Sequence, residues 1–498
     1  MTAWLDALLG RFTMYRLVLY VLTALWAVAI ALGFFGMLAL SPSSLFFSTI
    51  IILAVSWMAN KLFSRIFRAP TNVESVYITA FILALIIEPA DFSHYTGLAL
   101  VVSAAFLAQA SKYILAIKKK HIFNPAALAI AMTALVLNQS ASWWIGDTAM
   151  IPFVLLGGLL ITRKIRRSDL VLSFFVVLFA VTSASSLIQG QNPLDSIFAT
   201  ILHSPYLFFA FIMLTEPLTT PPGKGCRIAY GALAALLCAP GLHFGSLYMT
   251  PEFSLLAGNI FSYFVGPKQK LVLRLREKRR IAPEVYDFAF TSSETLRFKP
   301  GQYLEWTLPH EKSDSRGNRR YFTVASSPTE EGVRLGIKFN EPASSFKRTL
   351  LEMKEGDRIA ASGVAGDFTL PHDTKEKLVF MAGGIGITPF RSMIKYLLDK
   401  GEKRDIVLFY SNRTSADVAY GEMLDLAREK LGIRTIHVAT EESGHIDAAM
   451  IREHIPDYRE RMFYLSGPYS MVTAFEKTLK GMKLPRSRIK TDFFPGFA

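Results

Sequence analysis

The 498-residue chain is expected to be a polytopic α-helical membrane domain of about ten spans, fused to an antiparallel β-barrel domain and an α/β nucleotide-binding domain. Two observations predict this class. Residues 1–266 are a succession of apolar runs, whereas 268–498 carry the mixed charge of a water-soluble protein, and the change falls at Gly266-Pro267-Lys268. Beyond that point apolar and charged residues alternate as in antiparallel strands, and from Lys375 the pattern becomes strand, helix, strand. The expected domains are therefore 1–267, 268–373 and 374–498.

A helix needs about 20 mostly apolar residues to cross the hydrocarbon core. Candidate spans lie near 15–38, 44–60, 75–90, 95–117, 124–138, 147–162, 169–188, 197–214, 227–244 and 252–266. A first apolar run followed by nine more reads as a span and not as a cleaved leader. Lys and Arg gather at every second boundary, for example Lys61, Arg65 and Arg68, then Arg163, Lys164, Arg166 and Arg167. The alternate loops hold Glu88, Asp91, Asp147, Asp195 and Glu252 instead. The positive-inside rule then places both ends of this domain on the cytoplasmic side of the cell's inner membrane, with the lipid bilayer as a partner. Most of the +14 net charge is topogenic on this reading, and no nucleic acid is expected.

Two cysteines, Cys226 and Cys238, exclude an ordinary four-Cys iron–sulfur cluster, and no metal site is expected. Three patches interrupt the apolar runs: His121-Ile122-Phe123-Asn124-Pro125-Ala126-Ala127, Thr215-Glu216-Pro217-Leu218-Thr219-Thr220-Pro221, and Pro251-Glu252-Phe253 with Leu255-Leu256-Ala257-Gly258-Asn259. Asn124-Pro125 also suits a plain helix start. His203 and His243 fall within spans, where polar groups are often functional, but without the repeated spacing that clamps a haem. Gly157-Gly158 would let helices approach closely. With the span count, the three patches resemble the RnfD/NqrB family, the flavin-carrying membrane proteins of the Rnf complex and of the sodium-translocating NADH:quinone reductase. That resemblance implies FMN in the membrane domain. The Ser-Gly-Ala-Thr tetrapeptide that attaches FMN in that family is missing here, so a second flavin would be non-covalent.

In the C-terminal half the organising stretch is Arg319-Arg320-Tyr321-Phe322-Thr323-Val324-Ala325-Ser326-Ser327-Pro328. An isoalloxazine ring needs an apolar face, a hydroxyl near N5 and a cation for its diphosphate; Phe322, Thr323 and Arg320 offer these within four residues. Ser344 and Ser345 open a helix whose free N–H groups suit the same diphosphate. Leu378–Ala382 reads as a buried strand running into Gly383-Gly384-Ile385-Gly386-Ile387-Thr388-Pro389 and a helix, a context in which glycines admit a dinucleotide pyrophosphate. Arg413, after the next strand, stands where the second ribose would lie, leaving NADH or NADPH open. These motifs resemble the ferredoxin–NADP⁺ reductase family. The resemblance implies FAD held by Arg320, Tyr321, Phe322, Thr323, Ser344 and Ser345. It implies NAD(P)H held by Gly383, Gly384, Gly386, Thr388, Pro389, Arg413, Gly467 and Pro468. Ser466 replaces the family's cysteine in Ser466-Gly467-Pro468, and the aromatic tail ends in Phe497; with Thr323 these are the expected catalytic residues.

The functional expectation is a membrane-bound NAD(P)H oxidoreductase passing electrons through cytoplasmic FAD into a membrane redox group and on to a quinone, an extracytoplasmic acceptor or a partner redox protein. A membrane-anchored diaphorase and a redox-driven ion transporter are the alternatives.

Overall fold

The computed structural model describes residues 5, 9, 12–67, 73–90, 95–117, 120–245, 247–266, 270–310, 314, 318–339 and 343–492. The chain divides into two compact units at residues 268/269, each described by itself below.

In the N-terminal unit every apolar run forms a helix: α1 Met14–Phe34, α2 Pro42–Ile66, α3 Val73–Ile86, α4 Tyr95–Ile114, α5 Pro125–Leu137, α6 Ile151–Ile165, α7 Ser168–Ile188, α8 Pro193–Leu202, α9 Lys224–Leu237 and α10 Pro251–Val265. Starts follow local chemistry: Ser41, Asn124 and Asn192 each cap a helix whose next residue is proline. Among the described residues, five helical stretches are long and apolar enough to cross a bilayer, or six if α8 and Tyr206–Met213, bent by 72°, count as one span. The expected ten spans are therefore reduced to five or six of crossing length among the described residues: α3, α5, α9 and α10, of 13 to 15 residues, are too short. His203 and His243 do not lie inside helices. His203 follows α8 at the bend, and His243 starts a two-residue strand paired with Leu247–Tyr248. Sequence hydropathy ran through both breaks because the flanking residues are equally apolar.

Glycine does set helix approach. A Cβ on Gly158 of α6 would lie 2.6 Å from the Phe211 Cβ, and one on Gly157 would lie 2.5 Å from a Val21 methyl of α1.

The C-terminal unit joins two sheets. The first contains β1 Lys270–Ala282, β2 Val285–Ser292, β3 Tyr303–Thr307, β4 Arg319–Thr323, β5 Val333–Lys338 and, after helix α11 Ser345–Glu352, β6 Arg358–Ala365. Its order is β4-β3-β6-β1-β2-β5, with every described pairing antiparallel. The edge strands meet where the Ala325 N–H donates to the Arg334 carbonyl at 2.9 Å, closing a barrel around Trp306, Phe288 and Phe290. The second sheet is parallel, with strands β7 Leu378–Gly383, β8 Ile406–Asn412, β9 Arg434–Ala439, β10 Met462–Ser466 and β11 Ile489–Thr491 in the order β9-β8-β7-β10-β11. Strands β7 and β8 are buried along their whole length, which is why they read as unbroken apolar runs.

Filling the Gly158 contact tests the helix packing. Gly158→Val is expected to destabilise the N-terminal unit by roughly 1–3 kcal/mol through overpacking against Phe211. Thermal melting of the detergent-solubilised chain should show the loss, and an unchanged midpoint would contradict the contact.

Candidate functional site

On β4 the period of two divides the organising motif. Arg320 and Phe322 share one face with Phe346 of α11: the Arg320 guanidinium carbon lies 5.3 Å from that ring, and the two Phe rings are 5.9 Å apart. Tyr321 turns to the other face, donating to a Glu305 carboxylate oxygen at 2.6 Å beside Tyr303. Thr323, at the strand end, is buried. Arg320 is only 3% exposed, so its charge needs partners. Its guanidinium donates to the Arg319 carbonyl and lies 3.5 Å from the Asp314 carboxylate.

The start of α11 completes this end of the site. Ser344 caps the helix by accepting from the Lys347 N–H at 3.3 Å. The Ser345 N–H donates to the other Asp314 oxygen at 2.9 Å, and the Ser345 hydroxyl accepts from the Asp314 N–H and bonds His310. A carboxylate thus bridges a buried guanidinium and the first N–H of a helix. That arrangement has the donor set of a diphosphate site, with Asp314 as an intramolecular stand-in for the anion. The residues present fit FAD's diphosphate on this observation.

The second part of the site is a cavity of about 250 Å³ at the C-terminal ends of the parallel strands. Its lining includes Gly383, Gly384, Ile385, Ser411, Asn412, Arg413, Thr440, Pro468 and Met471, with Val285 and Lys338 from the barrel. Four expected residues, Gly383, Gly384, Arg413 and Pro468, come together here. The glycines divide by role. Gly384 has φ +51° and open space where a Cβ would stand. A Cβ on Gly386 would meet the Ser466 carbonyl and lie 2.6 Å from the Gly467 backbone; on Gly383 it would meet Met471. Gly386 therefore serves close packing of β7's turn on β10's end, where no side chain would fit. Thr388 and Pro389 form the first turn of α12 Thr388–Lys400, with the Thr388 hydroxyl donating to the Ile385 carbonyl at 3.2 Å. Burial pushes the Tyr410 phenol, at the cavity wall, up to about 12.

Ser466 is 2% exposed and its hydroxyl meets the Asp492 carboxylate at 3.0 Å. Phe497, with Phe493 and Phe494, lies outside the described residues. Sequence reasoning missed the groups that join the two sheets: Arg391 of α12 donates to the Ala325 carbonyl at 2.9 Å and makes a bidentate pair with Glu330. The Ser392 hydroxyl donates to the Ser326 carbonyl at 2.6 Å, and the Tyr420 hydroxyl to Asp287 at 2.9 Å. Arginine in an amphipathic helix gave no hint of burial.

In the N-terminal unit the three polar patches converge. Asn124 donates through its amide to Glu216 at 2.8 Å and through its backbone N–H to Asn259 at 2.7 Å, while Asn259 donates to the Tyr230 hydroxyl at 3.0 Å. Glu252, 1% exposed, accepts from the Trp143 indole at 3.1 Å. No group of three metal-ligating side chains occurs among the described residues.

Residues 380–477 match the oxidoreductase NAD-binding domain family. The chain is 29% identical over 185 residues to an NADPH oxidoreductase of Mycobacterium tuberculosis, covering 36% of this chain and 48% of that protein. It is 27% identical over 222 residues to a flavohemoprotein of Halalkalibacterium halodurans, covering 40% and 52%. It is 27% identical over 233 residues to the reductase subunit of a stachydrine N-demethylase of Rhizobium meliloti, covering 44% and 65%. The chain thus spans about half to two thirds of the length of these curated relatives.

Three substitutions test the site's frame. Arg391→Ala should destabilise the C-terminal unit by roughly 1–3 kcal/mol, because the Ala325 carbonyl loses its donor and Glu330 keeps, among the described residues, only the Ser327 N–H and the more distant Arg334; a denaturant midpoint within error of the parent would refute this. Gly386→Ala should cost more thermal stability than Gly384→Ala, since only the former drives a methyl into backbone; the reverse order would contradict the assignment. The parallel strands and the match of residues 380–477 to the oxidoreductase NAD-binding domain family give the C-terminal half the features of an NAD(P)H-dependent flavin oxidoreductase.

Proposed function

We propose that the protein is a membrane-bound NAD(P)H reductase whose C-terminal half takes NAD(P)H and FAD and whose N-terminal helices receive the electrons. The observation that carries the reading is the presence, in one compact unit, of the Arg320–α11 anion site and the strand-end cavity around Gly384. Bound FAD would supply the chemistry that lets a two-electron hydride donor serve a one-electron acceptor.

The chain's own residues position and shield. Arg320 and the α11 N–H groups would neutralise the diphosphate, with Ser344 and Ser345 holding that helix start in place. Phe322, packed on Phe346, stiffens the strand beneath them. Thr323 would place a hydroxyl at the flavin end of β4. Gly384, open where a Cβ would be, would let the nicotinamide nucleotide's pyrophosphate approach the start of α12. Hydride transfer needs no protein acid, so positioning groups suffice. Ser466, held by Asp492, would keep a small polar group beside the nicotinamide and fix the base of the aromatic tail to which Phe497 belongs.

Five to six helical stretches of membrane-crossing length support the membrane reading, and the cationic loops support a cytoplasmic C-terminal half in the inner membrane. Because the hydrocarbon core is about 30 Å thick, transfer across it needs a relay. A non-covalent FMN in the helical unit is the proposed relay, with a quinone or an extracytoplasmic acceptor beyond it. Reductase subunits among the relatives favour a second reading, delivery of electrons to a partner redox protein.

Purified full-length protein should release FAD on acid treatment, and NADH or NADPH should bleach its flavin. Arg320→Ala should lower FAD affinity about tenfold, the worth of a charge-assisted hydrogen bond. Release of FMN alone, or bleaching by neither nucleotide, would refute the reductase reading. A single FAD, with no NAD(P)H-dependent reduction of an acceptor trapped inside inside-out vesicles, would refute the relay.

A further inference from the structure

We infer that the strand-end cavity selects NADH over NADPH and that Glu441, two residues past the end of β9, sets the choice. The inference deepens the reading of this cavity as the nicotinamide nucleotide site and rests on it.

In a parallel sheet of this kind, a dinucleotide whose pyrophosphate lies at the helix after one strand puts its adenosine ribose at the end of the neighbouring strand. Here the first strand is β7, with Gly384 at its turn, and the neighbours are β8 and then β9. At the end of β8, Asn412 lines the cavity beside the Tyr410 phenol and is 6% exposed. A carboxamide at that wall offers both a donor and an acceptor to a polar ligand.

The next residue, Arg413, is the strand-end cation to which a 2′-phosphate would turn. Its Nε donates to a Glu441 carboxylate oxygen at 2.6 Å, and the Glu441 N–H donates back to the Arg413 carbonyl at 3.2 Å. Two bonds therefore fix the carboxylate beside the guanidinium, next to Thr440, which lines the cavity with Arg413. A carboxylate in that place accepts readily from a ribose 2′-hydroxyl. It repels a 2′-phosphate, whose charge near neutral pH is roughly −1.5 to −2, and through the Arg413 Nε it partly neutralises the guanidinium that would offset that charge.

The other charged or titratable side chains of the cavity are Asp417, His445 and Lys338, with the Tyr410 phenol at the wall. Asp417 adds negative charge beside Arg413 and accepts from the Thr414 N–H and hydroxyl. Lys338 enters from barrel strand β5 and not from the strand ends where the ribose falls. Arg413 and Glu441 are 78% and 49% exposed, so salt screens the repulsion and the expected discrimination is moderate, about tenfold.

Binding of ADP-ribose and of 2′-phospho-ADP-ribose to the full-length protein, measured by calorimetry, reads the choice without electron transfer. ADP-ribose should bind about tenfold more tightly. Glu441→Gln should narrow the ratio and Glu441→Arg should reverse it, with the matching change in kcat/KM for NADPH relative to NADH appearing mainly in KM. Tighter or equal binding of the 2′-phosphorylated probe by the parent protein would overturn the inference, as would a ratio unmoved in Glu441→Arg or failure of both probes to bind. If ADP-ribose binds selectively while NADH fails to bleach the flavin, the reductase reading falls and this one stands.

Discussion

A single buried guanidinium ties the flavin-type strand to the nucleotide-type helix. Arg391, 8% exposed, lies on α12 directly after the glycine loop, and its partners Ala325 and Glu330 lie just after β4. Isolating such a charge from water costs several kcal/mol unless a counter-charge and hydrogen bonds offset it. Here the Ala325 carbonyl and the Glu330 carboxylate take the two terminal nitrogens, the Nε making no hydrogen bond among the described residues, and the Ser392 hydroxyl adds a bond to the next carbonyl, Ser326. The net contribution to stability is small by comparison with the penalty for misplacement. The ion pair therefore acts mainly on geometry: the segment leaving β4 cannot shift along α12 without leaving a charge unpaired. Two sheets of different construction are thereby held as one body, which is what a hydride donor and acceptor require.

The same physics explains what the sequence revealed and what it hid. Strands β7 and β8 were legible because both faces are buried, so hydrophobicity is continuous and ends at glycine or polar punctuation. The Arg320 motif was legible because its residue types are few and closely spaced. The role of Gly386 was not legible. A glycine needed for open space and one needed for contact with neighbouring backbone have the same sequence context, and only the fold shows that Gly386 packs on Ser466 and Gly467. Arg391, Glu330 and Asp314 were hidden for a related reason: each has a partner 31 to 66 residues away, and local pattern treats each as a solvated surface charge.

In the N-terminal unit hydropathy found the helices but misjudged continuity. The apolar residues flanking His203 and His243 kept the average high across a 72° bend and a short hairpin, since transfer energy is blind to backbone direction. Small residues were read correctly at Gly157 and Gly158 because helices lacking a hydrophobic drive toward one another depend on close approach.

The three polar patches show how a cap and a tertiary contact can be one feature. Asn124 does cap α5, its side-chain oxygen accepting from the Ala127 N–H at 3.0 Å. Its amide N–H then donates to Glu216 and its backbone N–H to Asn259, so one residue closes the start of α5 against two other segments. Asn259 passes the chain on to Tyr230 of α9, whose ring lies where a side chain on Gly258 of α10 would have to be. Among apolar helices each of these groups would be costly alone, and each is satisfied by the next. The network therefore specifies which helices are neighbours, a task that Leu and Ala faces, interchangeable with one another and with lipid, cannot perform.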